Sequence, residues 1–188
     1  MSRLIVTEFM TLDGVVEAPG GEPTHPHAGW VIDLSGPEQM EYKLAEVLDA
    51  ESLLIGRVTY EGFSAAWPER DGEFADKMNG MPKYVVSSTL TEPLAWNNST
   101  VITGDVAAEV SRLKHQRDGS ILVAGSATLV RFLLEQDLVD ELRLMVFPVL
   151  VGGGQRCFPE SRLKKPFRLG ASTTFPSGVA VHSYHPAG

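Results

Sequence analysis

Residues 120–148 read SILVAGSATLVRFLLEQDLVDELRLMVFP, and this stretch decides the fold. Ser120–Ala124 is a short apolar run that stops at Gly125, as a strand buried on both faces does. Ala127–Gln136 places Leu129, Val130, Leu133 and Leu134 on one side of a helix. Glu141–Pro148 is apolar again, at strand length. Strand, helix and strand in so short a span make a βαβ unit, which implies parallel neighbours and a right-handed crossover.

The same alternation continues toward the N-terminus. Arg3–Met10, Ser52–Ile55, Lys83–Ser87 and Thr100–Thr103 read as strands. Between them, helices are expected over Pro37–Ala50, from near Thr59, over Glu73–Asn79 and over Val106–Gln116. Pro37 suits a first helical turn, and Met40, Leu44, Val47 and Leu48 form the apolar stripe of that helix. Toward the C-terminus, Phe167–Phe175 and Val179–His185 flank Pro176-Ser177-Gly178, the pattern of an antiparallel hairpin. The expected architecture is a three-layer α/β/α sandwich in one domain, residues 1–188, around a mostly parallel sheet with an antiparallel hairpin at its end. Thr11–Gly36 stands apart as a long segment rich in glycine and proline, of the kind that is either a functional lid or disordered.

Composition narrows the function. The chain has 188 residues, 43% hydrophobic, enough for a full core. Its net charge of −8 argues against nucleic acid or an anionic membrane as the main partner. A single cysteine, Cys157, forbids an intrachain disulfide and fits a reducing compartment. No apolar run approaches a membrane span, and the N-terminus lacks the pattern of a signal peptide, so a cytoplasmic protein is expected.

Ligands of open α/β sheets gather beyond the carboxyl ends of the strands. Gly56-Arg57-Val58-Thr59 follows one strand. The glycine permits close approach, the guanidinium suits a phosphate, and Thr59 can cap the next helix; a surface arginine and an ordinary cap are the plainer alternative. Ser87-Ser88-Thr89 offers hydroxyls to a phosphate or ribose, or makes a turn. Gly125-Ser126-Ala127-Thr128 opens a helix whose free N–H groups suit a diphosphate, although it is not GxGxxG. Gly152-Gly153-Gly154 either admits a ligand or is a turn. Asp13, in Thr11-Leu12-Asp13-Gly14, is read either as a turn residue or as a ligand and proton-donating group. Trp30 and Trp67 are candidates to stack on a flat ring, with packing as the commoner role of a tryptophan. His25 and His27 lack further ligands, and His182 and His185 fall on opposite strand faces, so no metal is expected.

The stretches TLDGVVE, LLIGRVTYEGF, PKYVVSSTL, ILVAGSATLVRFLLEQDLVDELRL and FPVLVGGGQRCF, in this order, resemble the dihydrofolate reductase-like superfamily. They are most similar to its branch built on the C-terminal reductase domain of the bacterial riboflavin-biosynthesis deaminase-reductase, RibD. The resemblance implies an NADPH-dependent reductase of a small pyrimidine- or pterin-like heterocycle, such as dihydrofolate or 5-amino-6-(5-phosphoribosylamino)uracil, and a homodimer. It implies that Gly56, Arg57 and Thr59 sit at the adenosine phosphate, Ser87 and Ser88 at the 2′-phosphate, and Gly125, Ser126, Ala127 and Thr128 along the diphosphate. Asp13 would lie near the nicotinamide and substrate. The helix-borne carboxylate of true dihydrofolate reductases has no clear counterpart; Glu38 and Glu41 fall nearest, and solvated helix charges are their plainer reading. A non-catalytic NADPH-binding module of the same fold is the alternative.

Overall fold

The computed structural model describes residues 1–116, 118–158 and 164–187. Eight strands form one sheet: β1 (Arg3–Thr11), β2 (Ser52–Gly56), β3 (Lys83–Val86), β4 (Ser99–Ile102), β5 (Ser120–Val123), β6 (Glu141–Phe147), β7 (Phe167–Thr174) and β8 (Ala180–Pro186). Their order is β4-β3-β2-β5-β1-β6-β8-β7. The first six are parallel, β8 is antiparallel to β6, and β7 to β8. Every residue of β2 and β5 is buried, the mark of strands covered on both faces.

Helices α1 (Pro37–Asp49), α2 (Arg57–Ala66) and α3 (Glu73–Gly80) cover one face, and α4 (Val106–Gln116) and α5 (Ala127–Glu135) the other. Alternation along β1 divides its side chains between the layers: Leu4 and Val6 join α4 and α5, and Ile5 joins α1–α3. A third cluster, with Val15, Trp30, Phe147 and Val181, lies beneath the segment after β1. At the hairpin, Gly178 adopts φ +86° and its N–H donates to Phe175 O at 2.9 Å.

Two helices differ from the sequence pattern. In α1 the buried residues are Gln39, Glu46 and Val47, while Met40 is 54% exposed and Leu48 38%. Of the expected apolar stripe, Val47 is buried and Leu44 half-buried, so the stripe is turned partly outward. Polar side chains with fixed partners orient the helix: Thr7 on β1 donates to Glu46 at 3.0 Å, and Gln39 bonds Leu34 O at 3.2 Å and reaches Ser177 in the hairpin turn. The second difference is the start of α2, which begins at Arg57 with Gly56 as its cap rather than near Thr59.

The chain leaves β5 toward α5 on one face, whereas its two neighbours, β2 and β1, lead to α2 and α1 on the other. This is a topological switch, where crevices open at the carboxyl ends of strands. Pairing between β1 and β5 ends at Val6↔Val123, while β1 continues beside β6 to Thr11↔Phe147. The sheet thus splits between β1 and β5.

Candidate functional site

At the carboxyl ends of β2 and β5 two glycine turns meet. A Cβ on Gly56 would come within 2.4 Å of Ser126 Oγ, and one on Gly125 within 2.9 Å of Thr59 Oγ1. Gly125 also has φ +79°, which disfavours any side chain. Its peptide bond to Ser126 is cis. The N-termini of α2 and α5 therefore lie side by side. Neither is closed by a side-chain cap, so their first N–H groups and dipoles are free for an anion. Thr59 is not the cap of α2; it is the wall against which Gly125 packs. Ala127 is buried, leaving its backbone as its polar feature, and the exposed Thr128 hydroxyl accepts from Arg131 at 3.1 Å and Gln155 at 3.5 Å.

Next to this turn is a hollow of about 430 Å³ between the ends of β3 and β4 and the start of α2, lined by Arg57, Ser87, Ser88, Thr89, Thr103 and Gly104. Arg57 holds Glu61, one turn on, at 2.8 and 3.0 Å, with its side chain 43% exposed. Such exposed pairs contribute little, so the guanidinium can exchange Glu61 for a phosphate. Ser87 Oγ accepts the N–H groups of Thr89 and Leu90 at 3.1 and 3.0 Å, which makes it chiefly the keeper of the turn. Ser88 is exposed. A larger hollow, about 510 Å³, lies at the opposite ends of β3 and β4. Its floor is Lys83, fully buried, donating to the carbonyls of Asn79, Met81 and Asn97 at 2.8–3.1 Å beneath Trp96. Burial brings the Lys83 ammonium down to about 8, and its donors are spent on the backbone.

The segments 11–36 and 148–157 are fastened to each other. Leu12 N–H donates to Val149 O at 3.0 Å, Val16 N–H to Gln155 O at 2.9 Å, and Cys157 N–H to Gly14 O at 2.9 Å. His25 Nε2 lies 2.8 Å from Gly153 O, and His27 N–H donates to His25 Nδ1 at 3.0 Å. Among the described residues, no group of three or more His, Cys, Asp or Glu side chains is placed to hold a metal ion. Asp13 accepts from Thr11 Oγ1 at 2.6 Å and from Gly152 N at 2.8 Å. The Thr11 hydroxyl, then the backbone amides of Gly152 and Val151, hold its carboxyl below the usual range against a smaller push from desolvation. This geometry makes Asp13 a clasp between loops and a poor source of protons.

The two tryptophans do not flank a common ring. Trp30 is 7% exposed, edge-on to Phe147 with centroids 5.4 Å apart, and donates to Glu17 O at 2.8 Å. Trp67 closes α2 in a different cluster, with Phe74 at 4.9 Å and Arg70 at 4.7 Å from its ring. Both have packing roles, which a tryptophan in a sequence does not distinguish from stacking. His182 and His185 bond Ser172 and Asp140 O separately.

Two carboxyl groups with covered oxygens carry no clear signal in the sequence. Glu38 and Glu41 are exposed, and the α1 carboxyl that faces the sheet is Glu46. It is paired with Lys43 and, at 3.3 Å, with Arg143 on β6. Arg143 also holds Glu141 at 2.7 Å. Burial pushes the Glu141 carboxyl up, but bonds from Arg143 and Ser183 and the charge of Arg143 bring it below the usual range. The second group is Glu8, on the α5 side of β1, at the split from β5. Its Oε1 is buried and has no hydrogen-bond partner. Burial raises it to about 8, against the charge of Lys43 and the amide of Gly125. The available signal was one acid between LIV and FM in a strand that must be covered on both faces.

A mostly parallel sheet ending in an antiparallel hairpin, with its crevice at a topological switch, is a dihydrofolate reductase-like α/β fold. The chain belongs to the RibD C-terminal domain family, whose pattern its residues 2–181 match. It is 28% identical over 188 residues to the uncharacterized protein YyaP of Bacillus subtilis (strain 168), covering 97% of this chain and 94% of that one. Its structure is similar to a putative riboflavin biosynthesis protein from Shewanella sp. PV-4, with a TM-score of 0.76, 22% identity and 99% of each chain covered. It is also similar to a dihydrofolate reductase from Enterococcus faecalis complexed with NADP(H), with a TM-score of 0.66, 16% identity, and 99% and 97% of the two chains covered. These likenesses support a reductase-like fold. Among the described residues no helix is long and apolar enough to cross a membrane.

Proposed function

We propose that the protein is an NADPH-dependent reductase of a small pyrimidine- or pterin-like heterocycle. The observation that carries this reading is the meeting of two uncapped helix N-termini, at Gly56 and Ser126, beside the hollow that contains Arg57 and Ser88. A diphosphate fits the first place and a ribose phosphate the second. The family and the NADP(H)-bound neighbour are consistent with it.

When bound, NADPH supplies a hydride. The chain's own part is to hold and orient. The Gly125–Ser126 turn and the first turns of α2 and α5 present N–H groups to the diphosphate. Arg57 leaves Glu61 for the 2′-phosphate, with Ser88 beside it. Asp13 pins the segments after β1 and β6 into one cover that keeps water from the split between β1 and β5.

Binding and turnover test this in sequence. NADPH should raise the melting temperature more than NADH does. Arg57→Ala should weaken NADPH about tenfold and leave NADH nearly unchanged, because a charge-assisted bond to one phosphate is lost. Equal losses for both cofactors refute the assignment. NADPH binding without oxidation across a panel of pterins and aminopyrimidines favours the non-catalytic module instead.

A further inference from the structure

The geometry points to Glu8 as the proton donor of this site: a neutral carboxylic acid that gives its proton to the substrate nitrogen as the adjoining carbon receives hydride. This rests on the reductase reading above. It does not rest on the family pattern, which drew attention to Asp13 and to carboxylates of α1.

Three observations converge on Glu8. First, its place. It lies just past the last β1–β5 pair, Val6↔Val123, where the sheet splits, and its Oε1 is 3.9 Å from where a Cβ on Gly125 would stand. The residue thus adjoins the turn assigned to the cofactor. Second, its unmet bonding. Oε1 is buried without a partner, whereas nearly every other buried side-chain polar atom among the described residues has one. Leaving such an atom orphaned is costly, and sites that await a ligand are where it is found. Third, its surroundings. Lys43 acts on it from α1 and the Gly125 amide from the β5–α5 turn, and Glu8 in turn acts on Cys157 in the 148–157 segment. Arg131 on α5 acts on Cys157 rather than on Glu8, and Lys43 is already engaged by Glu46 and by Thr7 at 2.9 Å. The Cys157 thiol is pushed up by burial and then by Glu8, so it adds no charge. Burial therefore prevails, and Glu8 holds its proton at neutral pH.

The step balances. The C4–H bond of the reduced nicotinamide breaks and its electron pair forms a C–H bond on the C=N carbon. The C=N π pair moves to nitrogen and takes the proton from Glu8, whose O–H bond breaks. NADPH is oxidised, the C=N bond of the substrate, in the ring or on its side chain, is reduced by two electrons, and the Glu8 carboxylate regains a proton from solvent.

The test has two arms. Infrared difference spectra of wild type minus Glu8→Gln, without ligand, should show a protonated-carboxyl band at pH 7 that is lost as pH passes about 8. A Glu8 already ionised at pH 7 overturns the proposal. In the second arm, NADPH oxidation is followed with dihydrofolate and with 5-amino-6-(5-phosphoribosylamino)uracil. Glu8→Gln should lower kcat about 100-fold or more, remove the alkaline fall of kcat, and leave the NADPH-induced melting shift intact. Glu8→Asp should recover part of the rate. Undiminished kcat in Glu8→Gln, or a loss confined to NADPH affinity, overturns the donor role and leaves the reductase reading standing. Wild type that binds NADPH and reduces neither probe counts against the reductase reading, and the infrared arm still decides whether Glu8 holds the proton.

Discussion

Glu8 and Glu46 each bring a covered carboxyl oxygen beside β1, on opposite faces of the sheet, but Glu46 is buried and Glu8 half-buried, and they differ in nearly every other respect. Glu46 meets Lys43, Thr7 and Arg143, and through Arg143 it joins Glu141 and Ser183. Glu8 has an oxygen with no partner and a neighbouring turn that is itself open. A saturated network fixes structure, because each member is satisfied by the others and nothing is left to offer a ligand. An unsaturated group whose oxygen is covered keeps its capacity for one. The contrast separates the chain's scaffold from its chemistry more clearly than residue type does.

Removing each carboxyl in turn gives the largest separation. Glu46→Ala leaves Arg143 and Lys43 covered and without their shared partner. We expect a loss of about 3 kcal/mol in unfolding free energy, read from urea denaturation, since breaking one side of a buried pair strands the other. Glu8→Gln strands no charge and should stay within about 1 kcal/mol of wild type at pH 5, before the Glu8 titration window opens far. If the two variants lose stability equally, the division between network and site is wrong.

This contrast also shows why the sequence disclosed the sheet better than the site. Strands such as LLIG and SILV are buried on both faces, and an unbroken apolar run announces that wherever it occurs. The βαβ periodicity then leaves few topologies, so the parallel sheet and the terminal hairpin follow from local patterns, whereas the strand order, with β5 between β2 and β1, rests on non-local pairing. The glycine turns at Gly56 and Gly125 were legible for the same reason, being local breaks after strands. What was not legible depends on partners far away in the chain. Glu46 faces inward because Thr7 and Arg143, 39 and 97 residues distant, receive it, which turns the Met40–Leu48 stripe partly outward. Trp30 is an anchor because Phe147 lies across the cluster, and Asp13 is a clasp because Gly152 N–H reaches it. Glu8 stands out only once the strands on both sides of it are known.

The pH dependence of stability sharpens the comparison at intermediate size. Glu8 titrates near 8 when folded and near 4.5 when unfolded. Its contribution is fully present below pH 4.5 and is lost as pH rises toward 8, because over that window the folded state holds a proton that the unfolded state has released. Wild type should therefore lose ground against Glu8→Gln between pH 5 and 8, by roughly 1 kcal/mol per pH unit at most, and no further above pH 9. The difference between the two proteins is the quantity to measure, since Asp13 and Glu141, both held low, shift stability in the opposite sense at acid pH. A difference that is flat from pH 5 to 8 shows that Glu8 is not held neutral.

The smallest effect concerns the exposed pair that stands for neither scaffold nor chemistry. Glu61 competes with a phosphate for Arg57, at 2.8 Å on a helix surface. Such a pair contributes about 0.3–0.5 kcal/mol, so Glu61→Gln should scarcely move the melting temperature. It should nevertheless tighten NADPH about twofold while leaving NADH unchanged, because the guanidinium is released only for the ligand that has a 2′-phosphate. Titration by tryptophan fluorescence with both cofactors resolves a change of that size. Tightening of both by the same factor would place Arg57 at the diphosphate rather than in the Ser87–Ser88 hollow, and weakening would make Glu61 the residue that aims Arg57 rather than its competitor.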